Sequence, residues 1–72
     1  MELGQQISIS INGVKQGVPG GQSVTDLLRR LEISSERVAV ELDKRIVRKR
    51  DWDHTTVPDG AEIEVVEFVG GG

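Results

Sequence analysis

The chain is 72 residues long, has no cysteine and carries a formal net charge of −3. A chain of that size is one domain that buries only about 60% of its unfolded surface, without a disulfide, a thiol catalyst or a cysteine-based zinc site. The negative balance argues against general nucleic-acid affinity, and no apolar run approaches the roughly 20 residues of a membrane span. The opening Met1-Glu2-Leu3-Gly4-Gln5-Gln6 has neither a basic region nor an apolar h-region. The expectation is therefore a cytoplasmic protein without a secretion signal or membrane association.

In residues 6–12, Ile7, Ile9 and Ile11 alternate with Ser8 and Ser10, the period of a half-buried strand. Asn12-Gly13 follows, a strong hairpin signal because a type I′ turn needs positive φ at both central residues. Residues 14–18 should return as a second strand, weakened by Gly17, with Pro19 at its end unable to donate to a ladder. Ser23 reads as a helix N-cap with Asp26 three residues on, a variant of the capping box. Val24, Leu27, Leu28 and Leu31 share one helical face, and Arg29 and Arg30 lie near the C-terminal end, where positive charge complements the dipole. The pattern predicts about three turns ending near residues 32–34, with the aliphatic stripe facing a core.

Val38, Val40 and Leu42 alternate with Ala39 and Glu41 as a third strand, a turn is expected at residues 43–45, and Ile46-Val47 begins a short fourth strand. Trp52 reads as a satellite anchor pinning a polar loop. Val57-Pro58-Asp59-Gly60 suits a type I turn. In the last strand, residues 61–69, Ile63 and Val65 oppose Glu62 and Glu64. Val66 and Phe68 then occupy the glutamate side. Either a bulge shifts the register, or the strand is buried on both sides, or these two side chains form an exposed apolar contact patch.

The order ββαββ followed by a last strand predicts an α+β fold. A mixed sheet of four to five strands should carry one main helix on one face. A β-grasp domain over residues 1–69 results if the last strand takes the middle of the sheet. Val69-Gly70-Gly71-Gly72 then reads as a flexible tail at residues 70–72, because a glycine run is entropically costly to hold. Such a tail can thread a narrow channel and present the α-carboxylate. Glu62, Glu64 and Glu67, with Asp59, place an acidic collar before it that would steer it toward a basic partner.

Catalytic equipment is sparse. The glycine-rich residues 17–21 lack the lysine of a phosphate loop, and no GxGxxG follows a strand. His54, with Asp51, Asp53 and Thr55 beside it, falls short of the three or four convergent groups that metal ligation needs. Lys44, Arg45, Arg48, Lys49 and Arg50 form a basic cluster that reads as a solvated turn, with phosphate or RNA binding as the alternative. The consistent reading is a non-enzyme, a carrier whose C-terminus another enzyme modifies.

Asn12-Gly13, Ser23-Val24-Thr25-Asp26-Leu27-Leu28, Val38-Ala39-Val40-Glu41-Leu42, Ile46-Val47, Trp52, Asp59-Gly60-Ala61-Glu62-Ile63 and Phe68-Val69-Gly70-Gly71-Gly72 together resemble the ThiS family. These are the ubiquitin-like sulfur carriers of thiamin biosynthesis. The family often has Asn where this chain has Asp43, and Pro-Arg where it has Arg48-Lys49. The resemblance implies a β-grasp fold and a carrier that is monomeric when free and binds no cofactor or metal. A ThiF-like enzyme would use ATP to adenylate the Gly72 carboxylate. A sulfur-donor enzyme would convert it to a thiocarboxylate, and a ThiG-like thiazole synthase would consume that sulfur. Val69, Gly70 and Gly71 would thread the partner's active site, and Val66, Phe68, Glu62, Glu64 and Glu67 would form the docking surface. A MoaD-like carrier of another sulfur pathway and a ubiquitin-like binding module without C-terminal chemistry are the alternatives.

Overall fold

The alternating isoleucines build β1 (Gln6–Ile11), which turns back into β2 (Val14–Pro19). Asn12 and Gly13 make that turn with φ of 49° and 86°, the type I′ geometry expected of the pair. Helix α1 (Val24–Arg30) follows, then β3 (Val38–Leu42), β4 (Arg45–Val47), a 3₁₀ helix (Lys49–His54) and β5 (Glu62–Glu67). The computed structural model describes residues 5–34 and 36–68. The expected tail, residues 69–72, lies outside the described residues.

The sheet order is β2-β1-β5-β3-β4. The last strand sits in the centre, parallel to β1 and antiparallel to β3, which makes the fold a β-grasp. The helix lies on one face. Its Val24, Leu27 and Leu28 pack with Ile9, Ile11, Val18, Val40 and Ile63 of the sheet, and all eight are buried.

Backbone parallel pairing of β1 with β5 is short, covering Ser10↔Glu62 and Ile11↔Ile63. Asn12 prolongs it with its side chain. The amide oxygen accepts the Val65 N–H at 2.9 Å, and Nδ2 donates to the Val65 carbonyl at 3.3 Å. Asp59 serves the other end, where its carboxylate accepts the Ser8 N–H at 2.9 Å.

Four local expectations need correction. First, α1 stops at Arg30, not near residues 32–34. Glu32 takes φ of +58°, its N–H donates to the Arg29 carbonyl, and the Ile33 N–H donates to Leu28. This is the bonding of a Schellman stop with glutamate at the position that usually carries glycine. Second, the β3–β4 turn has two central residues, Asp43 and Lys44, with φ of 51° and 71°, and Arg45 already pairs with Leu42. Asp43 in this conformation is held by two bonds to Glu62. Its carboxylate accepts the Glu62 N–H at 2.9 Å, and its own N–H donates to the Glu62 carbonyl at 2.7 Å.

Third, Trp52 belongs to the main core rather than to a satellite, at 3% exposure. The 3₁₀ helix carries it there, and its indole N–H donates to the Val47 carbonyl at 2.9 Å. Fourth, the turn before β5 is displaced by one residue. The Ala61 N–H donates to Pro58, and Gly60 takes φ of +83° at the third position, which belongs to a type II turn.

Candidate functional site

The face of the sheet away from α1 carries the candidate site. On β5, residues 62, 64 and 66 point to that face because strand side chains alternate. Pairing between β3 and β5 runs without interruption from Val38↔Glu67 to Leu42↔Ile63. No bulge shifts the register, so Val66 and Phe68 are neither re-aimed into the core nor covered from the far side. They are 52% and 55% exposed.

The register shows what stands beside them. Ala39 lies opposite Val66, and Glu41 lies opposite Glu64. Ile46 of β4 lies opposite Glu41 in turn and is 70% exposed. The open face is therefore a cross-strand row of Ile46, Glu41 and Glu64 beside a row of Ala39 and Val66, with Glu62 further along β5. Phe68 continues the apolar side, and its N–H donates to the Arg37 carbonyl at 2.7 Å. Glu41 and Glu64 are like charges directly opposite each other, which costs the free chain some stability.

Of the expected docking residues, Glu62, Glu64 and Val66 share this face. The same alternation assigns Glu67 to the side of Ile63 and Val65, where it is exposed. Val69, Gly70, Gly71 and Gly72 lie outside the described residues. Sequence reading missed Ile46 and the Glu41–Glu64 pairing. Their only signal was the outward parity of residues 41 and 46, which has no meaning until the strand order is known.

The remaining candidates disperse. His54 is exposed in the last turn of the 3₁₀ helix, and among the described residues no three His, Asp or Glu side chains gather as metal ligands. The basic cluster divides. Lys44 is in the hairpin turn, Lys49 approaches the Trp52 ring at 6.0 Å, and Arg45, Arg48 and Arg50 line a hollow at the β4 edge. Among the described residues no helix is long and apolar enough to cross a membrane.

The ThiS family model matches residues 4–72. The chain belongs to the ThiS family. A solved structure described as the thiamine biosynthesis protein ThiS of Geobacter metallireducens superposes with a TM-score of 0.81 at 36% identity, covering 92% of this chain and 100% of that one. A protein named ycf40 from Pyropia yezoensis is 39% identical over 66 residues, 92% of this chain and 93% of that protein. A thiazole synthase of Paramagnetospirillum magneticum is 36% identical over 66 residues, again 92% of this chain, yet the chain spans only 20% of that protein's length. The ThiS match reaches the last residues, so it includes the glycines of the expected tail.

Proposed function

We propose that the chain is a sulfur carrier of thiamin biosynthesis that works through its C-terminal carboxylate and is itself no enzyme. The observation that carries this reading is the match to the ThiS family along residues 4–72, with Gly70-Gly71-Gly72 inside it. A Gly72 carboxylate oxygen attacks the α-phosphorus of ATP on a ThiF-like enzyme, and pyrophosphate leaves. Sulfide released by a sulfur donor then attacks the acyl carbon of the mixed anhydride, displaces AMP and gives up its proton, leaving a thiocarboxylate. The ATP belongs to the partner; the carrier needs no cofactor of its own. A ThiG-like thiazole synthase consumes the sulfur, a role that the relatives named thiazole synthase support.

The open face contributes recognition. Val66 and Phe68, with Ile46 across the sheet, offer exposed apolar contact of the kind that serves interaction sites. Glu41, Glu62 and Glu64 favour a partner surface carrying basic groups, which speeds encounter more than it deepens affinity. A basic residue placed between Glu41 and Glu64 would also relieve their repulsion, which ties this pair to binding rather than to folding. Val69, Gly70 and Gly71 then pass through the partner's channel.

The test is intact-protein mass spectrometry after incubation with a ThiF-like enzyme, ATP and a sulfide source. The expected result is a gain of about 16 Da, one oxygen replaced by sulfur, that disappears when Gly72 is deleted. No mass change with an enzyme shown to be active overturns the carrier reading. Deleting Gly72 should leave the melting temperature unchanged, because glycine has no side chain to pack against the fold.

A further inference from the structure

At the β4 edge, where Ile46 of the open face forms part of the rim, lies a hollow of about 480 Å³. Three arginines line it, and each comes from a different part of the backbone. Arg45 stands on β4, Arg48 at the junction that caps the 3₁₀ helix, and Arg50 in the first turn of that helix. His54 and Thr55 complete the polar wall, and Leu42, Ile46 and Val47 form an apolar one. Asp51 is the one carboxylate in the lining. Counting Arg45, Arg48 and Arg50 against Asp51, with His54 neutral, the hollow is net positive in a chain whose formal charge is −3.

Arg45 alone has an ordinary explanation, since charged residues on an edge strand discourage edge-to-edge pairing. That reason does not extend to Arg48 and Arg50, which lie outside the strand. Their backbone is also held in place. The Asp51 N–H donates to the Arg48 carbonyl at 2.7 Å, the Thr55 hydroxyl donates to the Asp51 carbonyl at 2.7 Å, and the buried Trp52 ties the segment to Val47. A site whose frame is already fixed loses less free energy on ordering around a ligand.

We propose that this hollow binds a small phosphorylated molecule, with Arg45, Arg48 and Arg50 gripping a di- or triphosphate group. Guanidinium forks match phosphate oxygens two at a time, and three of them suit more than one phosphate. The volume falls within the usual range of small-molecule sites, larger than a lone ion requires. No Phe, Tyr or Trp faces the hollow, so it lacks the stacking platform on which single-stranded nucleic acid depends. Binding here is independent of the C-terminal chemistry.

The test titrates the full chain with pyrophosphate at constant ionic strength and follows backbone amide resonances. Saturable shifts centred on Arg45, Arg48, Arg50 and Asp51 are expected, with a dissociation constant below about 1 mM. Arg48→Ala and Arg50→Ala should each weaken binding about 10-fold while leaving the melting temperature and the remaining resonances in place. Citrate and a short single-stranded RNA serve as the other two probes. Shifts that fail to saturate, or that persist unchanged in both variants, overturn the site. Equal binding of citrate overturns the phosphate assignment, and tighter binding of the RNA at the same residues overturns the small-molecule one.

Discussion

Ile63 and Val66 stand three residues apart on one strand and face opposite ways. Ile63 is 2% exposed beneath the helix, whereas Val66 is 52% exposed on the open face. Composition does not separate them, since both are β-branched aliphatics on β5. Their difference comes from a single helix covering a single face, and from a register that continues without a bulge to Glu67. On the covered face an aliphatic side chain contributes to folding. On the open face the same chemistry contributes nothing to the core and is available to a partner.

The comparison can be broken by truncating one side chain from each face. Ile63→Ala should cost about 2–5 kcal/mol, the transfer and cavity terms of a large-to-small core change. A domain of this size seldom has more than about 3–5 kcal/mol in reserve, so much of the population should be unfolded by circular dichroism. Leu28→Ala, on the helix side of the same core, should behave alike. If either variant melts like the parent, the core is assigned wrongly.

The open face predicts the reverse pattern. Val66→Ala combined with Phe68→Ala should change stability by no more than about 0.5 kcal/mol, as surface changes usually do. It should nevertheless weaken capture by the activating enzyme and slow appearance of the thiocarboxylate. A melting temperature that falls as far as that of Ile63→Ala would show both side chains to be structural.

The finest distinction lies within the acidic group. Glu64→Gln removes one of two opposed like charges and should stabilise the free chain by about 0.2–1 kcal/mol in a urea titration at low salt. The same change should lower the association rate with a basic partner, and the deficit should shrink as salt screens the interaction. Stability and association moving together would break the link between the Glu41–Glu64 pair and docking.

Much of this was legible without coordinates. The isoleucine alternation placed β1, Asn12-Gly13 its turn, and Ser23 with Asp26 the start of α1, where both capping bonds form. These features are local: period, turn residue and cap each act within a few residues of sequence. The misreadings arose where hydrogen bonds took over from the residue that usually signals the turn or stop. Asp43 makes a type I′ turn without glycine because Glu62 holds it, and Glu32 ends α1 without glycine through the backbone bonds of Ile33 and its own N–H. Trp52 looked peripheral because the 3₁₀ helix that delivers it to the core has no strong periodic signature.

The sequence by itself determined the order of the strands and of α1, the buried faces of β1 and α1, the membership of the ThiS family and the glycine end on which the proposed chemistry depends. Only the tertiary structure decided which strand is central, and hence that Glu41, Glu64, Val66 and Ile46 share an open face. It also decided that Arg45, Arg48 and Arg50, a mere charge run in the sequence, gather around one hollow. Strand neighbours are chosen by how the whole sheet buries its apolar side against one helix, and no window of sequence contains that choice.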